Sequence, residues 1–140
     1  MGLVFPYMKF RGPTGVVAKP MLFAVLRRGG VSAPPVNMLV DTGSDDCIFD
    51  VLWVQQFLRF DVTALGARDE IQGLEGLQEA YVADVDLFIR DLARSFHIER
   101  AYFTKLRGLT GILGHNGFLS DLSIRFSHGK FFEIDDDPSG

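Results

Sequence analysis

Asp41, Thr42, Gly43 and Ser44, followed at once by Asp45 and Asp46, are the residues of this chain whose types and spacing could do chemistry. They lie in the stretch NMLVDTGSDDCIFD, where an apolar run, Met38-Leu39-Val40, ends in an acid, a hydroxyl and a glycine. An Asp set hard against apolar residues loses solvent, and desolvation penalises the charged form of a carboxyl group. Gly43 would let backbone N–H groups approach that carboxylate closely, and Thr42 offers a hydroxyl able to lock the loop. The chemistry would be proton transfer by a half-buried carboxylate. The plain alternative is an Asx-type turn, which Asp, Gly and Ser favour in any protein. Three residues alone leave both readings open.

Such a loop has to be held by regular structure on both sides. Gly and Pro recur along the chain, from Gly12-Pro13 through Gly29-Gly30 and Pro34-Pro35 to Gly114 and Gly117. Short segments between frequent turn signals predict a mainly β domain. Met21 to Arg28 reads as a strand closed by Gly29-Gly30, Val31 to Pro35 as a turn, and Asn37 to Asp41 as the strand that delivers the acid. In Glu79 to Arg90 the residues Tyr81, Ala83, Val85, Leu87 and Ile89 share one parity, the pattern of a strand with one buried face. Phe96 to Thr104 and Phe131 to Ile134 are further strands. Helix is scarce: Val51 to Leu58 has apolar residues at helical spacing, and Phe118 to Leu122 offers a second short turn.

The chain has 140 residues, which fits one domain with its own core. It is 47% hydrophobic with thirteen Phe, enough apolar surface to leave some for burial between subunits. The net charge of −4 and the lack of a basic face argue against nucleic acid as a partner. Cys47 is the sole cysteine, so no intrachain disulfide forms, and no Cys/His cluster suggests zinc. Runs such as Met21 to Leu26 are far shorter than the roughly 18 residues of a spanning helix. The start MGLVFPYMKF lacks the marks of a signal peptide, and Pro6 stands where a myristoylation signal wants Ser or Thr. A cytoplasmic protein is the expectation.

The stretch LVDTGSDD resembles the catalytic loop of the retropepsin-like aspartic proteases, single-domain relatives of the pepsins. That loop has an apolar strand, Asp-Thr-Gly, a small or hydroxyl residue, and often two acids. Two further family features follow in the expected order. EIQGLEGLQEAYVADVDLFI looks like the glycine-rich flap, with Ile71, Gly73, Leu74 and Gly76 at its tip. TGILGHNGFLSDLSIRF carries Ile112-Leu113-Gly114 and then Phe118-Leu119, like the segment that braces the catalytic loop in the family. The resemblance runs from about Lys19 to Ile134 and is nearer to the bacterial single-domain type, with a longer stretch from Phe49 to Asp69 than the retroviral members have. Residues 1–18 have no counterpart in it, and residues 135–140 form an acidic tail.

The resemblance implies a retropepsin-like closed β-barrel, the acid protease fold, with one or two short helices and one lobe per chain. It implies an aspartic endopeptidase in which Asp41, Thr42 and Gly43 are catalytic. Ser44, Asp45, Asp46, Gly73, Leu74, Glu75, Gly76 and Ile112 would bind an extended peptide or protein substrate. Thr42 would bond across two loops, and Gly43 would present its backbone to substrate. The chemistry needs two carboxylates flanking one water, and this chain has one Asp-Thr-Gly. Asp45 and Asp46 are too close along the chain to face Asp41, so the second carboxylate is expected from a homodimer. No cofactor, metal or membrane span is expected. Two residues depart from the family pattern: Glu75 at the flap tip, and His115 where Arg is common. They leave open a weakly active or inactive dimerisation or peptide-binding module with the same fold. A metal-dependent hydrolase is a further rival, with no H-x-x-x-H or Cys pair to support it.

Overall fold

The computed structural model describes residues 2–65, 68–73 and 76–135. Strands dominate. The first three are β1 (Leu3–Pro6), β2 (Met8–Gly12) and β3 (Gly15–Lys19), followed by β4 (Met21–Arg28), β5 (Val31–Ser32) and β6 (Val36–Val40). Then come β7 (Ile48–Asp50), the helix α1 (Val51–Phe57), β8 (Arg68–Gly73), β9 (Gly76–Ile89) and β10 (Arg94–Thr104). The chain closes with β11 (Gly111–Leu113), β12 (Ser123–Ser127) and β13 (Phe131–Asp135).

Six of these strands close into a barrel. β4 pairs antiparallel with β6, setting Met21 opposite Leu39, and β6 pairs parallel with β11 through Leu39 and Ile112. β11 then meets β7, which runs parallel to β10 with Phe103 opposite Phe49. β10 is antiparallel to β9, and the far end of β9 returns to β4, where Leu87 lies opposite Leu26. The ring leaves no open edge at Leu87, which is paired on both sides. The expected parity of β9 is the buried one: Ala83, Val85, Leu87 and Ile89 are buried, while Asp84 and Asp86 face solvent. Leu22, Leu26, Phe49, Phe103 and Leu113 fill the interior.

The connection that matters for function is the one between β6 and β7. These strands follow each other in sequence but are not neighbours in the sheet, because β11 lies between them. The chain from Asp41 to Cys47 must therefore cross the end of β11. Residues 41–47 are placed over Leu113 and Gly114 by topology before any side chain acts.

α1 begins where Asp50 caps it, its Oδ2 accepting the Trp53 N–H at 3.0 Å. The other Asp50 oxygen accepts the Leu106 N–H at 2.9 Å, tying the loop after β10 to the same point. The second expected helix, Phe118 to Leu122, is a single 3-10 turn over Leu119–Asp121. Gly117 enters it at φ 92, outside helical space, so a longer helix has no start there. Three other boundaries differ from the sequence reading. Val31–Ser32 pairs with Arg27–Arg28 as a short strand rather than lying wholly in a turn. β6 stops at Val40, one residue before the acid. Asp135 belongs to β13 rather than to the tail.

Residues 3–19 form two structures. β1 lies on β13, which also pairs with β12, making a three-stranded sheet with Phe5 stacked on Phe132. β2 and β3 form a hairpin that pairs with no other strand among the described residues.

Candidate active site

Asp41 is half-buried one residue beyond β6. Its N–H continues the sheet, donating to the Leu113 carbonyl at 3.0 Å. One carboxylate oxygen accepts the Gly43 N–H at 2.9 Å, and the Asp41 carbonyl accepts the Ser44 N–H at 3.2 Å. The residue thus forms an Asx-type turn and is still anchored to a core strand. A Cβ at Gly43 would sit 3.2 Å from that same oxygen, tighter than most contacts, so glycine admits the close approach.

The loop is braced from the segment after β11. His115 N–H donates to the Ser44 carbonyl at 3.0 Å, and Asn116 N–H to that of Asp45 at 2.8 Å. The Asn116 side-chain amide donates to an Asp46 carboxylate oxygen at 2.9 Å. His115 reaches back to the Thr42 carbonyl at 2.7 Å. Ser44 Oγ donates to the Asp46 carbonyl at 2.7 Å, closing the turn on itself. Gly114 lies beneath: an added Cβ there would come to 2.5 Å from the Ser44 oxygen and closer still to that of Asp46. This contact explains the Gly of Ile112-Leu113-Gly114 by the space the crossing loop leaves.

The expected site residues divide into three groups. Asp41 to Asp46 share one turn, with Thr42, Gly43 and Asp45 exposed and Ser44 and Asp46 half-buried. Ile112 is half-buried on β11, opposite Leu39 and Ile48 and so directly beside the loop. Gly73 and Gly76 pair across the end of the β8–β9 hairpin. Leu74 and Glu75 lie outside the described residues.

Sequence reasoning passed over a polar cluster beside the loop. The pairing of β10 with β9 shifts between Ile98 and Ala101, releasing Glu99 and Arg100 from the ladder. Arg100 donates to Asp69 at 3.0 Å and to the Tyr102 hydroxyl at 3.2 Å. Tyr102, with Asp69 behind it, raises the pKa of the guanidinium further above its ordinary value. The cluster joins β8 to β10 and borders an open cleft of about 500 Å3 that also takes in Asp46, Asn116 and Gly117. Only the juxtaposition of distant segments creates it, so no local motif could have signalled it.

Cys47, which follows the loop, is fully buried, and burial pushes its thiol up to about 11. Among the described residues no three His, Cys, Asp or Glu side chains come together as a metal site, and no helix is long and apolar enough to cross a membrane.

No protein-family model matches the chain, and no curated protein does. Solved structures do resemble it, two aspartic proteases among them. One is the EIAV protease complexed with the inhibitor HBY-793, at TM-score 0.50 and 19% identity, over 69% of this chain and 82% of that one. The other is a retropepsin-like aspartic protease from Rickettsia conorii, at TM-score 0.53 and 18% identity, over 96% of this chain and 93% of that one. The chain therefore has the retropepsin-like aspartic protease fold. The second match extends over residues that the sequence reading left without a counterpart, since 96% coverage cannot omit all of residues 1–18.

Proposed function

We propose that this chain is an aspartic endopeptidase, active as a homodimer in which each copy contributes Asp41. The observation that carries the proposal is the Asp41-Thr42-Gly43 turn, anchored on β11 and braced by His115 and Asn116 within this fold. The similarity of fold to two aspartic proteases supports it.

In this reading two copies meet at their Asp41 turns, with one water between the two carboxylates. Two such groups at close range cannot both hold a negative charge, so the pair shares one proton. The ionised member takes a proton from the water as it attacks the scissile carbonyl. The protonated member donates to the carbonyl oxygen, and a proton then passes to the leaving nitrogen. The Gly43 N–H, by holding one oxygen of Asp41, fixes the carboxylate plane before substrate arrives. Thr42 is exposed in the single chain and would bond across the pair, while Gly43 offers backbone to the substrate.

An extended peptide would lie between the Asp41–Asp46 turn and the β8–β9 hairpin, which would act as the flap, with Gly73, Leu74, Glu75 and Gly76 at its tip. Ser44, Asp45, Asp46 and Ile112 would line the floor. Main-chain pairing of such a peptide supplies affinity that is tolerant of sequence, and pockets for alternate side chains supply selectivity.

The test is a cleavage profile on a random peptide library with wild type and Asp41→Asn at several pH values. Wild type is expected to cut and the variant to lose cutting by at least about a thousandfold, a barrier difference of about 4 kcal/mol, with fold and dimer unchanged. Cleavage by purified Asp41→Asn at the wild-type rate would remove Asp41 from the mechanism. A dimeric wild type that binds peptides without cutting them would leave the binding module.

A further inference from the structure

The β2–β3 hairpin is exposed on both faces along nearly its whole length, with Met8, Phe10, Val16 and Val17 open to solvent. A two-stranded hairpin with neither face covered is marginally stable in water. It is not an isolated irregularity. Eight of the eleven large apolar side chains exposed among the described residues lie in residues 3–17 and 126–131, two segments that the pairing of β1 with β13 brings together.

The hairpin is rooted at the active-site turn. Pro20, the residue after β3, accepts the Val40 N–H at 2.9 Å, so Lys19 leaves the sheet beside Asp41. At its other root the Tyr7 N–H donates to the Lys130 carbonyl in the turn between β12 and β13. Its charge is of one sign: Lys9, Arg11 and Lys19 are basic, and no acid occurs from Met8 to Lys19. The turn beside it has the opposite sign, with Asp41, Asp45 and Asp46 and no base from Asp41 to Cys47.

We infer that the β2–β3 hairpin is a docking arm for a second copy of this chain, its basic, apolar surface lying against the partner's Asp45 and Asp46. This rests on the homodimer reading. The arm starts beside the residue that must meet its counterpart across the two-fold axis, so it is carried to the partner by the same contact that completes the site. There it would cover apolar surface and offset the acidic charge that two catalytic turns concentrate at the axis. A turn otherwise disposed to repel its twin gains a cation from the other chain.

The experiment uses single-cysteine variants of the full chain in a Cys47→Ala background. One preparation carries Arg11→Cys and the other Asp45→Cys. They are mixed, oxidised mildly and separated without reductant. The expected result is a disulfide-linked heterodimer as the main cross-linked species. In parallel, wild type and Arg11→Glu/Val16→Glu are compared by sedimentation. Neither residue is in the core, so the variant should keep the wild-type circular dichroism while its dimer dissociation constant rises at least tenfold. A dimeric wild type that gives no heterodimer, with a variant constant within twofold, would overturn the docking arm and leave the homodimer standing. An intact variant dimer with a raised KM would also overturn it, by assigning the hairpin to substrate. A wild type that stays monomeric at 100 μM while cleaving peptides would sink both.

Discussion

Nε2 of His115 lies 2.7 Å from the carbonyl oxygen of Thr42, across 73 residues of sequence. A carbonyl only accepts, so Nε2 carries the proton in this contact. The ring holds the middle of the candidate catalytic turn, one residue beyond the bond from the Asp41 N–H to the Leu113 carbonyl. His115→Ala is expected to lower kcat/KM about tenfold, equal to about 1.4 kcal/mol, which is the usual net value of one hydrogen bond. His115→Gln keeps a donor at similar reach and should retain most of the rate. Equal losses in both variants would show that the contact acts by bulk and not by donation.

Gly114 leaves room for the backbone of the crossing turn. Gly114→Ala drives a methyl into the Ser44 and Asp46 carbonyls, and neither end of the turn can retreat without breaking its bonds to His115 and Asn116. A loss of about 3 kcal/mol is expected, as for overpacking against rigid groups. Urea unfolding measures it, and an unchanged midpoint would show that the turn is free to move.

Asp50 serves two backbone donors at once, the N–H groups of Trp53 and Leu106. Asp50→Ala strips both and should cost about 2 kcal/mol, a cap plus a part-buried donor left without its acceptor. Asp50→Asn keeps one acceptor oxygen, so its midpoint should fall between those of the wild type and the alanine variant.

Cys47 sits in the core with its thiol pushed up to about 11, chiefly by burial, with the Gly114 carbonyl contact pulling it partly back. Iodoacetamide at pH 8 should therefore label it only as fast as the chain unfolds. Labelling of the native protein at the rate of a free thiol would contradict that burial.

His97 accepts the opposite fate. Its ring lies 2.7 Å from Asp86, and that hydrogen bond raises its pKa above the ordinary value, desolvation opposing slightly. The protonated ring is thus favoured in the folded state. The stabilisation is fully present below the unfolded value of 6.5 and disappears as pH rises through the folded value. Both partners are more than half exposed, so solvent screening keeps the contribution small. An NMR titration should place His97 above a free histidine, and Asp86→Asn should bring it down; an unmoved midpoint in that variant would reject the pair.

The parts of the fold that could be read in sequence are those with a pattern tied to burial. β4 runs over the residues its apolar content predicts, and β9 shows the alternation of a strand with one face in the core. β2 and β3 gave no such signal, because a hairpin with both faces in water imposes no alternation. β12 was missed for a related reason: Ser123–Ser127 lies on a small sheet with largely exposed side chains. At the site, Asp41-Thr42-Gly43 and Ile112-Leu113-Gly114 were visible as local motifs. Asn116 and the Arg100–Asp69–Tyr102 cluster were not, since each depends on which distant strand lies alongside.

The insertion of β11 between β6 and β7 also sets a schedule. A ribosome delivers Asp41 long before Leu113, His115 and Asn116, and the turn has no buttress until those residues emerge. Contacts of such long sequence separation form late and make folding slow. On the proposed reading this delay is a safeguard: the nascent polypeptide carries its acid in an unshaped segment until β11 and the residues after it have been made.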